Sequence, residues 1–291
     1  MQTPALVVER DALDANLAAM QRRCDDAGVA LRPHVKGHKC AWVAARQLEH
    51  GAVGLAAATL DEAEGLLRAG LGRDVLLTSV VSPRAVGRIV ALRALGDLAV
   101  VADDRLFVAA LGDAAAAAGV TVRAHVDLDV GQRRGGAATA EAAVGVARAI
   151  DAADRLELAG VQAYEGHLQL LGAEEQAAGH RDALAALRAA LDALGAAGLA
   201  PERVTAAGTG TAELALRAGL ATEVQPGSYA LMDATYAATP AGTAFRPAAR
   251  VLATVRSRPQ PGTAILDAGL KALSTDLGPA VCELPGATYA P

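Results

Sequence analysis

The sequence contains little cysteine, few aromatic residues and no long hydrophobic run. Its three cysteines, Cys24, Cys40 and Cys282, are scattered and show no CxxC spacing. This pattern argues against a disulfide framework and against a zinc site. No apolar run reaches the ~18 residues that a transmembrane helix needs, and the first residues lack the basic and apolar regions of a signal peptide. We therefore expect a cytoplasmic protein that does not insert into membranes.

The charge distribution gives no sign of a polyanionic partner. The formal net charge is −5 at pH 7, and no basic stripe stands out along the sequence. Nucleic-acid binding is therefore not an expected function. Of the 291 residues, 53% are hydrophobic and 20% are charged, which is sufficient to build the core of a globular protein.

Lysine is scarce in a chain that is otherwise rich in basic residues. Lysine and arginine together number 27, but only three are lysines, and two of these lie in the stretch LRPHVKGHKC (31–40). An amine can lose its proton and become a nucleophile, whereas a guanidinium cannot. Lys36 is therefore a candidate nucleophile, and the alternative is a lysine on a surface loop. Lys39 is predicted to lie just inside the following helix and to have a structural role.

Short apolar runs that favour β-strands alternate with helical patterns along most of the chain. One helical segment, 180–198, carries leucines at i, i+3, i+7 and i+10 on a single face. Eight strand–helix units predict a (β/α)8 TIM barrel, because a doubly wound sheet, the alternative, rarely contains eight units without a change in topology. The predicted strands span 30–35, 52–58, 74–79, 97–102, 120–128, 156–164, 203–207 and 222–226.

Two segments fall outside the predicted barrel, which we place at 10–238. Residues 239–291 contain strand-like runs separated by Pro-Gly turn signals and show no helical period. Together with residues 1–9 they predict a partial β domain. It is too short for a stable sandwich or barrel of its own. Either the amino-terminal strand completes it, a partner subunit does, or the chain is shortened at its C-terminus.

Catalytic residues of TIM barrels lie at the carboxyl ends of the strands. Lys36 ends the first predicted strand, where desolvation would lower its pKa and favour a Schiff base. The seventh strand is followed by Gly-Thr-Gly-Thr (208–211) and the eighth by Pro-Gly-Ser-Tyr (226–229). Adjacent loops of this kind can bind a phosphate group through main-chain N–H groups. The structural alternative is two tight turns.

Two further loops contribute polar side chains to the same face of the predicted barrel. Arg133 and Arg134 follow the fifth strand among glycines, where an arginine can pair with an oxyanion. Tyr164 and His167 follow the sixth strand; the first can stack on a planar ring and the second can act as a general acid or base. An amine, a phosphate site, an aromatic ring and an arginine are what pyridoxal 5′-phosphate (PLP) requires. A cofactor-free Schiff-base aldolase that binds a sugar phosphate is the weaker alternative.

The motifs RPHVKGHK, DVGQRRGG, AYEGH, AAGTGT, EVQPGSYALMD and DAGLKALSTD occur in this order. The chain thereby resembles the fold-type III PLP enzymes of the D-threonine aldolase and D-serine dehydratase group, relatives of alanine racemase. The resemblance implies that Lys36 forms the Schiff base, that Arg134 contacts the phenolic oxygen of PLP and that Tyr164 packs near its ring. It also implies that Gln225 faces the ring nitrogen, where alanine racemases keep an arginine. The implied phosphate contacts are Gly208, Thr209, Gly210, Gly227, Ser228 and Tyr229.

The same resemblance implies a reaction and a partner. His167 corresponds to the histidine that assists removal of the proton from the β-hydroxyl of the substrate. The expected reaction is cleavage of D-threonine to glycine and acetaldehyde by a homodimer. The alternatives are β-elimination, as in D-serine dehydratase, and PLP binding without catalysis. The family binds a divalent metal (Mn, Mg or Zn) through a His-x-Asp or His-x-Cys pair in its carboxyl-terminal domain. Residues 239–291 contain no histidine and therefore no such pair, so no metal ligand is predicted.

Overall fold

Eight parallel strands form one curved sheet in the computed structural model, which describes residues 1–290. Their order is β2-β9-β8-β7-β6-β5-β4-β3, and a parallel bridge between His34 and Ala56 joins the two ends. The predicted barrel is therefore confirmed. The strands are β1 (Ala5–Val8), β2 (Ala30–Leu31), β3 (Leu55–Ala57), β4 (Val75–Leu77), β5 (Leu98–Ala102), β6 (Val122–Asp127), β7 (Leu156–Ala163), β8 (Arg203–Ala206), β9 (Glu223–Val224), β10 (Ala249–Leu252), β11 (Val255–Gln260) and β12 (Thr263–Leu266).

Helices follow the barrel strands and cover the outside of the sheet. Several begin where a threonine or aspartate side chain accepts a hydrogen bond from the first turn, as Thr59 does from the N–H of Glu62 at 3.2 Å. Gly28 and Gly119 end two helices in the left-handed conformation. The helices are α1 (Arg10–Ala27), α2 (Ala41–Glu49), α3 (Leu60–Arg68), α4 (Val86–Leu92), α5 (Arg105–Ala118), α6 (Ala140–Asp151), α7 (Ala173–Ala196), α8 (Ala212–Ala218) and α9 (Ala234–Ala237).

The sequence located all eight barrel strands, but it misplaced some ends. β2 is much shorter than the predicted 30–35. Beyond Leu31 the chain makes only isolated hydrogen bonds to the neighbouring segments: the carbonyl of Pro33 accepts from the N–H of Ala56, and the N–H of His34 donates to the carbonyl of Pro226. Helix α7 begins before the predicted residue 180. Of its predicted apolar face, Leu187 and Leu194 are buried in the core, and Leu184 and Leu191 are half-buried.

The segments outside the barrel pair with each other in part. β1 is antiparallel to β10, with Ala5 opposite Leu252, so the amino-terminal strand joins the carboxyl-terminal segment. β11 and β12 form a separate antiparallel hairpin. The domain boundaries at 10–238 stay a prediction. Within residues 1–290, no helix combines the length and the apolar character that crossing a membrane requires.

The floor of the barrel is a buried network of charges. The Arg32 side chain, 2% exposed, donates from Nε to Glu223 at 2.7 Å and from Nη2 to Asp74 at 2.9 Å. Arg123 and Arg203 also donate to Asp74. Burial by itself would raise the pKa of the Asp74 carboxyl, but hydrogen bonds from these arginines and their charges lower it to about 2. The network joins β9 to the residues that precede β4, on different parts of the sheet.

Removing one carboxylate from this network should weaken the fold. We expect Glu223→Gln to lower the free energy of unfolding by about 3 kcal/mol, because the buried charge of Arg32 is then only partly compensated. Denaturation in guanidinium chloride at neutral pH measures the change. Glu213→Gln is the matched control, since Glu213 pairs with Arg217 on an exposed helix surface and should contribute below about 0.5 kcal/mol. Equal losses in the two variants would contradict a structural role for the buried network.

Candidate functional site

Three of the residues predicted from the sequence meet at the carboxyl end of the barrel. A 3₁₀ turn at Val35–Gly37 follows β2 and carries Lys36. The Nζ atom of Lys36 lies 4.9 Å from the centroid of the Tyr164 ring, and Cζ of Arg134 lies 5.5 Å from the same centroid. These side chains come from the segments after β2, β6 and β7. The structure thus brings together the predicted nucleophile, aromatic ring and arginine.

The surroundings of Lys36 lower the pKa of its amine. Lys36 is exposed at the mouth of the barrel. Desolvation by the surrounding protein nevertheless lowers the pKa of the amine, and the charge of Arg134 lowers it further. Glu62 acts in the opposite direction. Lys39 lies just before α2 rather than inside it and forms an ion pair with Glu62. It is therefore engaged elsewhere, as its predicted structural role requires.

His34 fixes the turn that carries Lys36. The main-chain N–H of Lys36 donates to Nδ1 of His34 at 3.2 Å, so Nε2 carries the ring proton and donates to the hydroxyl of Thr78 at 3.0 Å. That hydroxyl donates to the carbonyl of Ala57. Burial, together with the charge of Lys36, lowers the pKa of His34 well below 6.5. The sequence reasoning did not single out His34, although it lies inside the RPHVK motif.

The loops after β8 and β9 are joined to each other by Thr209. Its hydroxyl oxygen accepts from the main-chain N–H groups of Gly227 at 3.2 Å and Tyr229 at 3.1 Å. The N–H groups of Thr209 and Ser228 donate to no atom of residues 1–290. Unpaired main-chain N–H groups on adjacent loops can bind an anion. The side chain of Thr209 thus holds the two loops together, while its main chain is free to donate.

The glycines of these loops are also required by packing. A Cβ at Gly208 would lie 2.5 Å from Oε1 of Gln169, one at Gly210 would collide with the main chain of Gln169, and one at Gly227 would lie 2.7 Å from the carbonyl oxygen of His34. Gln169 itself accepts from the N–H of Gly210 and donates to Thr211, both at 2.9 Å. Gln169 was not identified from the sequence, because its partners are distant along the chain.

Tyr229 differs from the other predicted residues of this loop. Its ring is fully buried and packs edge-on against Phe245, with 5.8 Å between the ring centroids. Its hydroxyl accepts from Gln47 at 3.3 Å. The predicted contact of Tyr229 with a phosphate group therefore cannot come from the ring. Its main-chain N–H is directed at Thr209.

Gln225 has a defined orientation, because a chain of buried hydrogen bonds fixes its amide. Nε2 of Gln162 donates to the carbonyl of Thr78 at 2.9 Å and to Asp127 at 2.8 Å, and a carbonyl can only accept. The oxygen of Gln162 therefore faces Nε2 of Gln225, which also donates to Thr205. This leaves Oε1 of Gln225 as an acceptor without a partner among residues 1–290. Burial raises the pKa of Asp127 to about 7.

His167 lies on the rim of the same mouth. It belongs to the 3₁₀ turn Gly166–Leu168 after β7 and is exposed. A Cβ added to Gly131 would lie 3.2 Å from Nε2 of His167, so the ring packs against the loop that carries Arg134. The ring makes no hydrogen bond within the part of the chain that the structure describes. His167 is thus accessible to a substrate.

Residues 1–290 do not provide a metal site of the usual composition. They contain no group of three or more His, Cys, Asp or Glu side chains placed to hold an ion. The side chains present therefore do not fit the divalent metal that the sequence resemblance implies.

Two family models match most of the chain, and similar proteins cover nearly all of it. Residues 8–235 match "Alanine racemase, N-terminal domain" and residues 248–290 match "Putative serine dehydratase domain". The D-threonine aldolase of Arthrobacter sp. is 36% identical over 293 residues, which cover 99% of this chain and 77% of that protein. The 3-hydroxy-D-aspartate aldolase of Paracoccus denitrificans (strain Pd 1222) is 37% identical over 291 residues, covering 96% and 74%.

Solved structures show the same relationship. The crystal structure of D-threonine aldolase from Filomicrobium marinum superposes with a TM-score of 0.95 at 36% identity, covering 100% of this chain and 79% of that one. The D-threo-3-hydroxyaspartate dehydratase from Delftia sp. HT23 superposes with a TM-score of 0.86 at 32% identity, covering 95% and 74%. The resemblance inferred from the six motifs is confirmed. The chain belongs to the alanine racemase-like family of PLP-dependent aldolases and lyases that includes the D-threonine and 3-hydroxy-D-aspartate aldolases.

Proposed function

We propose that this chain cleaves the Cα–Cβ bond of D-β-hydroxy-α-amino acids, converting D-threonine to glycine and acetaldehyde, with Lys36 as the Schiff-base lysine. The observation that carries the proposal is the cluster of Lys36, Tyr164 and Arg134 at the mouth of the barrel. The names of the relatives support the substrate class, since they act on D-threonine and on 3-hydroxy-D-aspartate. The family resemblance also supports a homodimer.

The donor groups of the mouth fit PLP. Lys36 offers an amine with a lowered pKa, and Tyr164 offers a ring for stacking. The free N–H groups of Thr209 and Ser228, with the glycines beside them, offer donors for the phosphate group. When bound, PLP supplies an aldehyde that condenses with an amine and a ring that stores the electrons released at Cα.

Three side chains would stabilise charge or move protons during the reaction. Arg134 places a positive charge where a phenolate oxygen can be neutralised. The free Oε1 of Gln225 can only accept, so it favours a proton on a ring nitrogen placed opposite, and a protonated ring withdraws electrons more strongly. An arginine at this position would favour the opposite protonation state. We assign to His167, which is exposed on the rim, the removal of the proton from the β-hydroxyl as Cα–Cβ breaks.

A dehydratase is the second candidate, and one specific match favours it. Residues 248–290 match the serine dehydratase domain, and D-threo-3-hydroxyaspartate dehydratase of Delftia sp. (strain HT23) is 34% identical over 302 residues. In that reaction Cα–H is removed and the hydroxyl leaves, so the products are a 2-oxo acid and ammonia. The residues named above are compatible with both reactions, and only the products separate them.

Product analysis of the purified, PLP-loaded protein tests the proposed reaction. D-Threonine, D-threo-3-hydroxyaspartate and D-serine are offered separately in buffer that contains Mn²⁺. Release of acetaldehyde and glycine from D-threonine is the expected result. Formation of a 2-oxo acid and ammonia instead would establish the dehydratase. A yellow protein that transforms none of the three would show PLP binding without this catalysis.

Lys36→Ala should abolish the covalent attachment of PLP. Borohydride reduction of the wild-type protein is expected to give a single PLP adduct by mass spectrometry, because Lys36 is the lysine at the mouth. Lys36→Ala removes the amine, and the adduct should fall below detection. Lys271→Ala is the matched control, since Lys271 is exposed in the carboxyl-terminal segment, and it should keep the adduct. A reducible adduct that persists in Lys36→Ala would overturn the assignment.

The charge of Arg134 should set the pH at which Lys36 reacts. Arg134 disfavours protonation of the Lys36 amine, so Arg134→Gln should raise the pKa of Lys36. The pH midpoint for PLP attachment, followed by absorbance, should therefore move to higher pH. The control is Arg133→Gln, which removes a neighbouring exposed charge and should leave the midpoint in place. An unchanged midpoint in Arg134→Gln would show that this charge does not act on Lys36.

His167→Ala should separate catalysis from cofactor binding. Loss of a general base typically lowers the rate by roughly 10²–10⁴-fold, while PLP attachment at Lys36 should be unaffected. Steady-state kcat with D-threonine and the absorbance of the bound cofactor measure the two effects. His50→Ala controls for the loss of a histidine far from the mouth. A wild-type kcat in His167→Ala would exclude the assigned role.

A further inference from the structure

A buried carboxylate and a buried imidazole face each other behind the site. Glu165 is 2% exposed and His180, on α7, is 6% exposed. The Glu165 Oε1 and His180 Nδ1 atoms are 3.7 Å apart, which is longer than a direct hydrogen bond. Oε1 of Glu165 and both ring nitrogens of His180 have no partner among residues 1–290. Buried polar groups of this kind are costly unless they are hydrogen-bonded.

A small cavity lies between these two side chains and the barrel. Its volume is about 20 Å³, and Glu165 and His180 are the polar members of a lining that otherwise includes Val130, Ala163, Leu187 and Ala206. A buried water needs roughly 10–15 Å³ and two to four polar partners. The cavity therefore has room for one water, and the unpaired atoms supply the partners. Polar atoms separated by more than about 3.5 Å are commonly joined by such a water.

Glu165 connects this pair to the site. Tyr164 and Glu165 are consecutive and lie on opposite sides of the chain, so Tyr164 faces Lys36 while Glu165 faces the helices. The carbonyl of Glu165 accepts from the N–H of Leu168 and from the side chain of Gln169. Gln169 in turn holds the loop after β8, at Gly210 and Thr211. A change in the position of Glu165 would therefore displace both Tyr164 and the loop after β8, which carries the free N–H group of Thr209.

We propose that Glu165 and His180 bind one buried water between them and together act as positioning residues for the turn 164–169. Neither side chain reaches the mouth, so neither is a catalytic residue. The pair supports the turn on the side that faces the helices, and the turn orients Tyr164, His167 and Gln169. The cofactor measurements below rest on the proposed function, whereas the water and the coupling of the two residues do not.

A double-mutant cycle tests the positioning role. Glu165→Leu and His180→Leu, made singly and together, are loaded with PLP, and the dissociation constant of PLP is measured by absorbance. We expect each single change to weaken PLP binding roughly tenfold, because it leaves the partner buried and unpaired. The double variant should be no weaker than the weaker single, since both remove the same interaction. Glu165→Gln keeps the shape and the hydrogen bond to water, and it should rescue PLP binding to within about threefold of wild type.

Glu157→Leu is the matched control, because Glu157 is an exposed carboxylate on β7, the strand that precedes Glu165. It should leave the PLP dissociation constant unchanged. Single variants that unfold more easily but bind PLP like wild type would overturn the positioning role. Additive effects of the two changes would overturn the pairing.

A high-resolution crystal structure of the unmodified, PLP-loaded protein tests the water itself and does not depend on variants that fold. One ordered water within hydrogen-bonding distance of both Glu165 and His180 supports the proposal. A dry cavity, or a direct hydrogen bond between the two side chains, overturns it. If the protein does not bind PLP at all, the proposed function fails, and the crystal structure of the protein alone still decides whether the water is present.

Discussion

The barrel depends on the guanidinium of Arg32 at its floor. β2, which precedes Arg32, is a two-residue strand, and the sheet closes beside it through the single bridge between His34 and Ala56. Such short pairings supply few main-chain hydrogen bonds. Arg32 adds charged hydrogen bonds to Glu223 on β9 and to Asp74 before β4, and so ties the end of β2 to its neighbour β9 and, across the closure, to the segment before β4. Burial makes these bonds stronger but also makes each partner indispensable.

Above this floor several buried polar side chains lie inside the barrel and extend up to the site. Asp127, Gln162, Thr205 and Gln225 form one connected set of hydrogen bonds between the strands. A buried amide network of this kind has a single satisfied arrangement, because one reversed amide would leave several groups unpaired. The orientation of Gln225 at the mouth is thus set by the carbonyl of Thr78. Hydrogen bonds inside the barrel therefore hold the Gln225 side chain at the mouth in one orientation.

Sequence reasoning located what depends on local pattern. The eight strands follow from runs of apolar residues, and Lys36, Tyr164 and Arg134 follow from their positions after strands. It missed contacts that depend on residues distant in the chain: His34 with Thr78, Gln169 with Gly210, and Glu165 with His180. The glycines of the Gly-Thr-Gly-Thr loop were found, but their steric reason, the nearness of Gln169, was not visible. Tyr229 was assigned with its loop, although its ring belongs to the core, because a strand-end pattern does not show which way a side chain turns.

His34 contacts both the turn that carries Lys36 and the loop after β9, and it thereby fixes the distance between these two segments. Its ring holds the main chain of Lys36, and its carbonyl oxygen lies against Gly227 in the loop that is joined to Thr209. The main chain that carries Lys36 and the loop that carries Ser228 are therefore both held by His34. The span between them is a property of the fold and not of any bound molecule. A molecule that contacts both Lys36 and these N–H groups must therefore place its carbonyl carbon and its anionic group at a separation that the two loops impose.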